Sequence, residues 1–532
     1  MNRSNVSFLD LPNEILFYIL KKLNNIDVLY SLLDVDNQRL DMIVEDKTFT
    51  NNLNFVLTMS TDDIFPIGDS ILNRFCISIL PRIGLNIKSL ILESGSMERI
   101  LLATDYPNLY ELKLFNFNNK IASHYFTIKS PVHHIFQKQI TNLILVCKTD
   151  NNILSIEQYT ENVHKYIFNF CENLKHLSFT GSCVRLSFRN LPLTICSSST
   201  LYKLSISVNR FEDCLALLDG RLNQLNSFFV EIFNDNYQSS IVNNMNDLPN
   251  LKCFSLKYVC VTEQYDSKIL PLLRRMSNLE ELTLYITIQN RIKFIDGIQI
   301  NNQILIHMPR LYKFIFYISS DIQLHHLVPY LSSDDIQQTF TNIGYQQVAC
   351  ILSCYCNRVR CHVFSLPFVF DSLRYIGNVF PSIVFSHVTN LGVYDVVPFK
   401  HEFFLRIAQF FPLIKELYVI NSKSQSQISD NINSNDNQLH SIVEYPYLIS
   451  LCLGRSHIDY YEQFLNDTKT HLPRLTTLTV NYDKLTIVTK NFTRNAIRLN
   501  CANVKELIIE RTLVHSKDFY VYFPLVTSFS FD

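Results

Sequence analysis

The chain has no tryptophan and only 10 glycines among its 532 residues. So little glycine argues against Gly-rich phosphate-cradling loops as an organising theme and hands many turns to Asn and Asp. Neither sign of charge is in excess: 47 Lys and Arg stand against 48 Asp and Glu, a formal net charge of −1. That balance gives no bulk pull toward nucleic acid or anionic membrane. No run reaches the roughly eighteen uninterrupted apolar residues a membrane span needs. The start, Met1-Asn2-Arg3-Ser4, meets Asp10 and Pro12 before any long apolar core, so it does not read as a secretory signal. P-loop, G-x-S-x-G and H-E-x-x-H patterns are missing, and nothing local marks a nucleophile. No enzyme, no cofactor and no metal site is therefore expected. The 14 cysteines are expected to stay thiols, which points to the cytoplasm, the nucleus or both.

What is abundant is apolar residue, 47% of the chain, and it is phrased. A Leu-like residue, two others, a second, one other and a third recur from about residue 85. The phrases are Ile87/Leu90/Leu92, Leu109/Leu112/Leu114, Ile140/Leu143/Leu145, Leu174/Leu177/Phe179, Leu201/Leu204/Ile206, Leu225/Phe228/Val230, Leu251/Phe254/Leu256, Leu279/Leu282/Leu284 and Leu311/Phe314/Phe316. After a gap come Val388/Leu391/Val393, Ile414/Leu417/Val419, Leu448/Leu451/Leu453, Leu475/Leu478/Val480, Val504/Leu507/Ile509 and Val526/Phe529/Phe531. Asn-Leu or Pro-x-Leu often leads in, and helix-like stretches lie between, at Asp69–Leu80, Asn162–Cys171 and Glu402–Phe410. One strand and one helix per unit is the signature of a leucine-rich-repeat solenoid, with parallel strands on the concave face and helices outside. A single unit cannot bury its apolar face; stacked neighbours can. The pattern fades near 320–385, where one or two irregular repeats are expected. Residues 421–440, almost all Ser, Asn, Gln and Asp, read as a mobile surface loop.

The first 55 residues are different. Asp10 and Pro12 open a helix carrying Ile15, Leu16, Ile19, Leu20 and Leu23 on one face; Asp27 opens a second with Val28, Leu32, Leu33 and Val35; Leu40, Ile43 and Val44 suggest a third. Three short helices make a small core and leave apolar surface over, which calls for a partner. Leu11-Pro12-x-Glu14-Ile15, followed by Ile19-Leu20, Leu23, Asp27-Val28, Leu32, Val35 and Arg39-Leu40, resembles the F-box motif. Phe49 stands roughly where that family often carries Trp. The array beyond resembles the irregular leucine-rich repeats found behind F-boxes.

The resemblance implies a small three-helix F-box-like head (1–55), a connecting helix and first irregular repeat (56–84), and a repeat body (85–532). It implies a non-catalytic substrate-recognition adaptor of an SCF-type (cullin–RING) ubiquitin ligase. The head would bind the Skp adaptor through Leu11, Pro12, Ile15, Leu16, Ile19, Leu20 and Val28, some of which must pack the head's own core. The body would bind a protein substrate; neither nucleic acid nor membrane is expected as a partner. A repeat scaffold outside any ligase is the alternative.

Two further readings concern the body. On strands, the positions just before the second and just after the third Leu-like residue face outward, and His176 and Lys203 are among the former. Glu281, Tyr285, Lys313, Tyr317 and Tyr394 fall there, and the Tyr residues suit a protein-binding surface, although 27 tyrosines also suit sheets generally. Cys350, Cys354, Cys356, Cys361 and His362 form the densest group of soft ligands. Their spacing lacks the close pairs of a zinc site and fits buried thiols better.

Overall fold

In the computed structural model the described residues are 8–58, 64–147, 155–181, 185–188, 192, 196–234, 246–323, 332–341, 347–355, 357–425, 441–509 and 517–531. The chain is α/β, built from mostly parallel strands joined by short helices and turns. It divides into two compact units: Met1–Cys260 with Arg275–Glu281, and Val261–Arg274 with Leu282–Asp532.

The first unit begins with four short helices rather than three: α1 (Asn13–Leu20), α2 (Asn25–Leu32), α3 (Gln38–Val44) and α4 (Lys47–Thr50). Neither Asp10 nor Asp27 stands at an N-cap position. Pro12 and Asn24 occupy the first two cap positions without a side-chain bond. Asn37 caps α3 by accepting the Leu40 N–H (3.2 Å), and Asp46 caps the unexpected fourth helix through Thr48 N–H (2.8 Å). Leu16, Leu20, Val28, Leu29, Leu33, Leu40, Val44 and Phe49 are buried, and Phe49 meets Phe17 edge-on at 5.2 Å. Arg39 ties α3 to the chain start, donating to Asn13 Oδ1 (2.6 Å), to the Leu9 carbonyl (2.7 Å) and to the Leu11 carbonyl.

The sheet takes over before residue 55. Strand β1 (Asn52–Asn54) already pairs in parallel with β4 (Ser89–Glu93), while β2 (Val56–Thr58) and β3 (Ile64–Pro66) form a small antiparallel hairpin between them in sequence. Strands β5 (Glu111–Phe117), β6 (Asn142–Cys147), β7 (His176–Thr180), β8 (Lys203–Arg210), β9 (Ser227–Asn234) and β10 (Cys253–Thr262) follow in order, all parallel.

The apolar phrases set this register. Leu90 stands beside Leu112, Leu112 beside Leu143, Leu143 beside Leu177, Leu177 beside Leu204, Leu204 beside Phe228 and Phe228 beside Phe254. All of these are buried. Each such side chain withdrawn from water contributes about 1.5–3 kcal/mol. The stretch expected as one helix over 69–80 is α-helical from Asp69 to Arg74 and then widens into a π-type turn, Phe75–Ile79.

The Asn lead-in has a structural meaning. Asn108 donates its side-chain N–H to the Leu85 carbonyl (2.7 Å), Asn173 to Lys138 (2.7 Å), Asn250 to Asn223 (2.9 Å) and Asn278 to Pro249 (3.0 Å). Each acceptor lies two residues before the first Leu-like residue of the preceding phrase. These four turns are thus hooked to their predecessors by a side chain that needs only a backbone carbonyl.

In the second unit, β11 (Glu281–Arg291) and β12 (Lys313–Gln323) are succeeded by a hairpin, β13 (Val348–Tyr355) and β14 (Arg358–Ser365). Strand β14 pairs antiparallel with both β12 and β13. Between β12 and residue 371 a hairpin therefore interrupts the parallel array where irregular repeats were expected. Beyond it a second parallel sheet runs through β15 (Ser372–Ile376), β16 (Asn390–Tyr394), β17 (Glu416–Ile420), β19 (Ser450–Cys452), β21 (Thr477–Val480), β22 (Glu506–Ile509) and β23 (Ser528–Phe531). The short strands β18 (Val443–Glu444) and β20 (Thr470–His471) pair apart from it. Leu391, Leu417, Leu451, Leu478 and Leu507 make the same ladder, and Asn503 hooks to the Pro473 carbonyl (3.1 Å). Of the polar stretch 421–440, residues 426–440 lie outside the described residues. Asn421 is buried and donates to the Val397 carbonyl (2.7 Å).

Two substitutions separate the ladder from the hooks. Leu143→Ala is expected to cost about 2–5 kcal/mol, and Asn250→Ala only about 0.5–1.5 kcal/mol, both read from the urea midpoint.

Candidate protein-binding surfaces

The head sorts its apolar residues by helix geometry. On α1, Leu16 and Leu20 point inward at 0% and 2% exposure, while Ile15 (46%), Ile19 (37%) and Leu23 (54%), just past its end, form an open stripe beside Tyr18. Pro12 is exposed and Leu11 half-buried at its start. Of the residues expected to meet an adaptor, Leu16, Leu20 and Val28 are thus in the head's own core, whereas Pro12, Ile15 and Ile19 face out. Behind the stripe the head is braced against the body. Arg74 donates to the Leu33 carbonyl (2.8 Å) and lies over Tyr30, and Arg82 reaches Glu45 (2.5 Å) and Asp41 (3.1 Å).

The body of the first unit carries a hollow on the sheet face opposite its buried ladder. Its floor is register-paired: Ile144, Ser178, Ser205 and Phe229 lie side by side on β6, β7, β8 and β9. Two serines between an Ile and a Phe leave space of about 310 Å³, rimmed by Glu111, Asn142, His176 and Lys203. Glu111 accepts from Ser89 (2.8 Å) and from the Asn142 side chain (3.3 Å). Lys203 lies over the Phe229 ring at 5.1 Å. The His176 imidazole is held below its ordinary range by burial, then by Lys203 and Lys175, against an opposing pull from Glu111. Residues before the second and after the third Leu-like position pointed to His176 and Lys203. The middle position of each phrase, which supplies Ser178, Ser205 and Phe229, is where sequence reasoning missed the hollow.

The tyrosines expected on a recognition surface are placed otherwise. Tyr285 and Tyr317 do stand side by side, their rings 4.6 Å apart. They are buried, at 5% and 1% exposure, because the chain leaving β14 crosses over them. Phe368 and Phe370 pack on Tyr317, Phe370 also packs on Tyr285, and the Tyr285 hydroxyl donates to the Ser372 carbonyl (3.2 Å). These two are core residues, not an exposed surface. Tyr394 is half-buried and joins a different group, with Tyr355 (5.5 Å) and Tyr375 (6.4 Å). Glu281 is half-buried and Lys313 exposed.

Beside Tyr317 the hairpin is locked by buried charge. Asp321 accepts from Arg358 (2.8 Å), Arg360 (2.8 Å), Tyr355 and the Asn290 N–H (3.0 Å). Burial alone would raise its carboxyl, but the bonds from Tyr355 and Arg360 outweigh that and hold it below the usual range. Arg360 lies over Tyr375 at 4.1 Å. Next along β14, fully buried His362 bonds through Nδ1 to the Tyr317 hydroxyl (2.9 Å), and burial, aided by the Arg360 charge, pushes its imidazole down to about 3. His362 therefore belongs to this core.

Cys350 and Cys361 are buried thiols with sulfurs 3.6 Å apart, Cys354 is exposed, and Cys356 lies outside the described residues. Burial raises the Cys171, Cys196 and Cys501 thiols to about 12. Among the described residues no group of three or more His, Cys, Asp or Glu could hold a metal ion. No helix among them is long and apolar enough to cross a membrane.

No protein-family model matches the chain, and no curated protein matches it. Among solved structures, the chain is similar to one in the crystal structure of the Rad7 and Elc1 complex in yeast. The identity is 12%, over 95% of this chain and 83% of that one, with a TM-score of 0.25. At that TM-score the likeness carries no inference about function.

The buried imidazole fixes a pH dependence. His362 is neutral in the fold and would take a proton once unfolded below its ordinary value of 6.5. Stability should therefore fall as the pH drops from 6.5 toward about 3, by up to about 1.4 kcal/mol per pH unit. Unfolding titrations of His362→Gln should show a shallower slope over that window. Tyr317→Ala should cost about 3–5 kcal/mol, as a core residue does.

Proposed function

We propose that the chain is the substrate-recognition adaptor of an SCF-type ubiquitin ligase, its head an F-box and its body a set of leucine-rich repeats. The observation that carries this reading is the division on α1. Leu16 and Leu20 fill the head's core, while Ile15, Ile19 and Leu23 make an unpartnered stripe led by Pro12. A stripe of that kind on a braced head suits a protein partner, and the resemblance of Leu11-Pro12-x-Glu14-Ile15 to the F-box motif supports a Skp-type adaptor in that place. The chain supplies no catalytic group in this reading. It holds a target protein near a ubiquitin-charged enzyme, and the gain is in effective concentration. Glu281, Lys313 and Tyr394 keep surface and remain candidates for target contact, each on its own strand. Tyr285 and Tyr317 support the fold beneath.

Purified full-length chain should capture a Skp-type adaptor. Ile15→Asp with Ile19→Asp should weaken capture at least about tenfold with an unchanged thermal midpoint, whereas Leu16→Ala should lower the midpoint. Failure of the unmodified chain to capture the adaptor would overturn this reading in favour of a repeat scaffold outside any ligase.

A further inference from the structure

The hollow on β6–β9 is the best-defined feature of the open sheet face, and its surroundings are electrostatically lopsided. Farther along this sheet two lysines are neutralised: Lys257 pairs with Glu231 (3.2 Å) and Lys252 with Glu280 (2.9 Å). Around the hollow the lysines are not. Lys203 leans on Phe229 and Lys113 on Phe115, and neither they nor Lys175 has a carboxylate partner among the described residues. Glu111 is the one acid on the rim, and it is already engaged by Ser89 and Asn142.

We propose that this hollow binds an extended, acidic segment of a partner protein, one large apolar side chain filling the space over Ser178 and Ser205. Ile144 and Phe229 would flank that side chain, since both stand in its row of the sheet. Carboxylates on either side of it would meet Lys203, Lys175 and Lys113. A basic segment is disfavoured, because it would bring further cations among three that lack counter-ions. A nucleic acid is disfavoured too, because the floor is one apolar notch between two serines, with no row of stacking aromatics. The inference refines the adaptor reading by giving the chemistry of the target, but it concerns the body alone.

The test uses the full chain and a fluorescein-labelled peptide, Asp-Glu-Asp-Phe-Asp-Glu-Asp. Its counterparts carry Lys for every acid, or Ser for Phe. Anisotropy should show the acidic Phe peptide bound at least about tenfold more tightly than either counterpart, and less tightly as salt rises. Ser205→Leu, which fills the notch, and Lys203→Glu, which reverses the rim, should each weaken binding by a similar factor. Ser178→Leu repeats the first test from the neighbouring strand, and circular dichroism identifies any variant that fails to fold. Equal binding of the acidic and basic peptides, or full binding by folded Ser205→Leu and Ser178→Leu, would overturn the proposal. Adaptor capture by the head is read separately. Lost capture with retained peptide binding sinks the ligase reading alone, and retained capture with no peptide binding sinks this one alone.

Discussion

The constraint on which the molecule depends is that no single phrase can bury its own three apolar side chains. Leu143 is dry because Leu112 stands on one side and Leu177 on the other. The same holds along the second parallel sheet from Leu391 to Leu507. Stability in such an arrangement is built from contacts between neighbouring turns. The sheet face away from the ladder is released from packing duty, so polar and charged residues can stand there. The hollow over Ser178 and Ser205 exists because two adjacent strands happen to place small residues in one row.

Where the array is interrupted, a different device takes over. The antiparallel hairpin β13–β14 cannot continue the ladder, and its register with β12 is enforced by charge. A buried carboxylate with two guanidinium partners and a tyrosine is costly to desolvate and intolerant of slippage, because any shift leaves a charge unpaired. Asp321, Arg358 and Arg360 therefore fix which residues face which across this junction. The aromatic crossing through Phe368 and Phe370 then closes over the face that the neighbouring strands leave open.

Much of this was legible in the sequence, for identifiable reasons. The phrases could be read because strand alternation and apolar character coincide in each of them. Adjacency followed: Tyr285 and Tyr317 were expected side by side and are. Their burial could not be read, because the segment that covers them lies some fifty to ninety residues onward and carries no marker of its path. The hairpin was missed because neither Val348–Ile351, a continuous apolar run, nor Val359–Phe364, where Arg360 and His362 alternate with apolar residues, fits the phrase template. In the head, one helical face was visible from the spacing. Only the packing of the folded head, not the spacing, decides that Leu16 and Leu20 turn in while Ile15 and Ile19 turn out.

The asparagine hooks bear on how such a chain can change over generations. Each grips a main-chain oxygen, which every amino acid possesses, so the grip is indifferent to what the preceding turn is made of. A turn of different length that keeps this asparagine finds the same kind of acceptor in its predecessor. The uneven intervals between successive phrases are what a lineage permitted to vary in this way would accumulate.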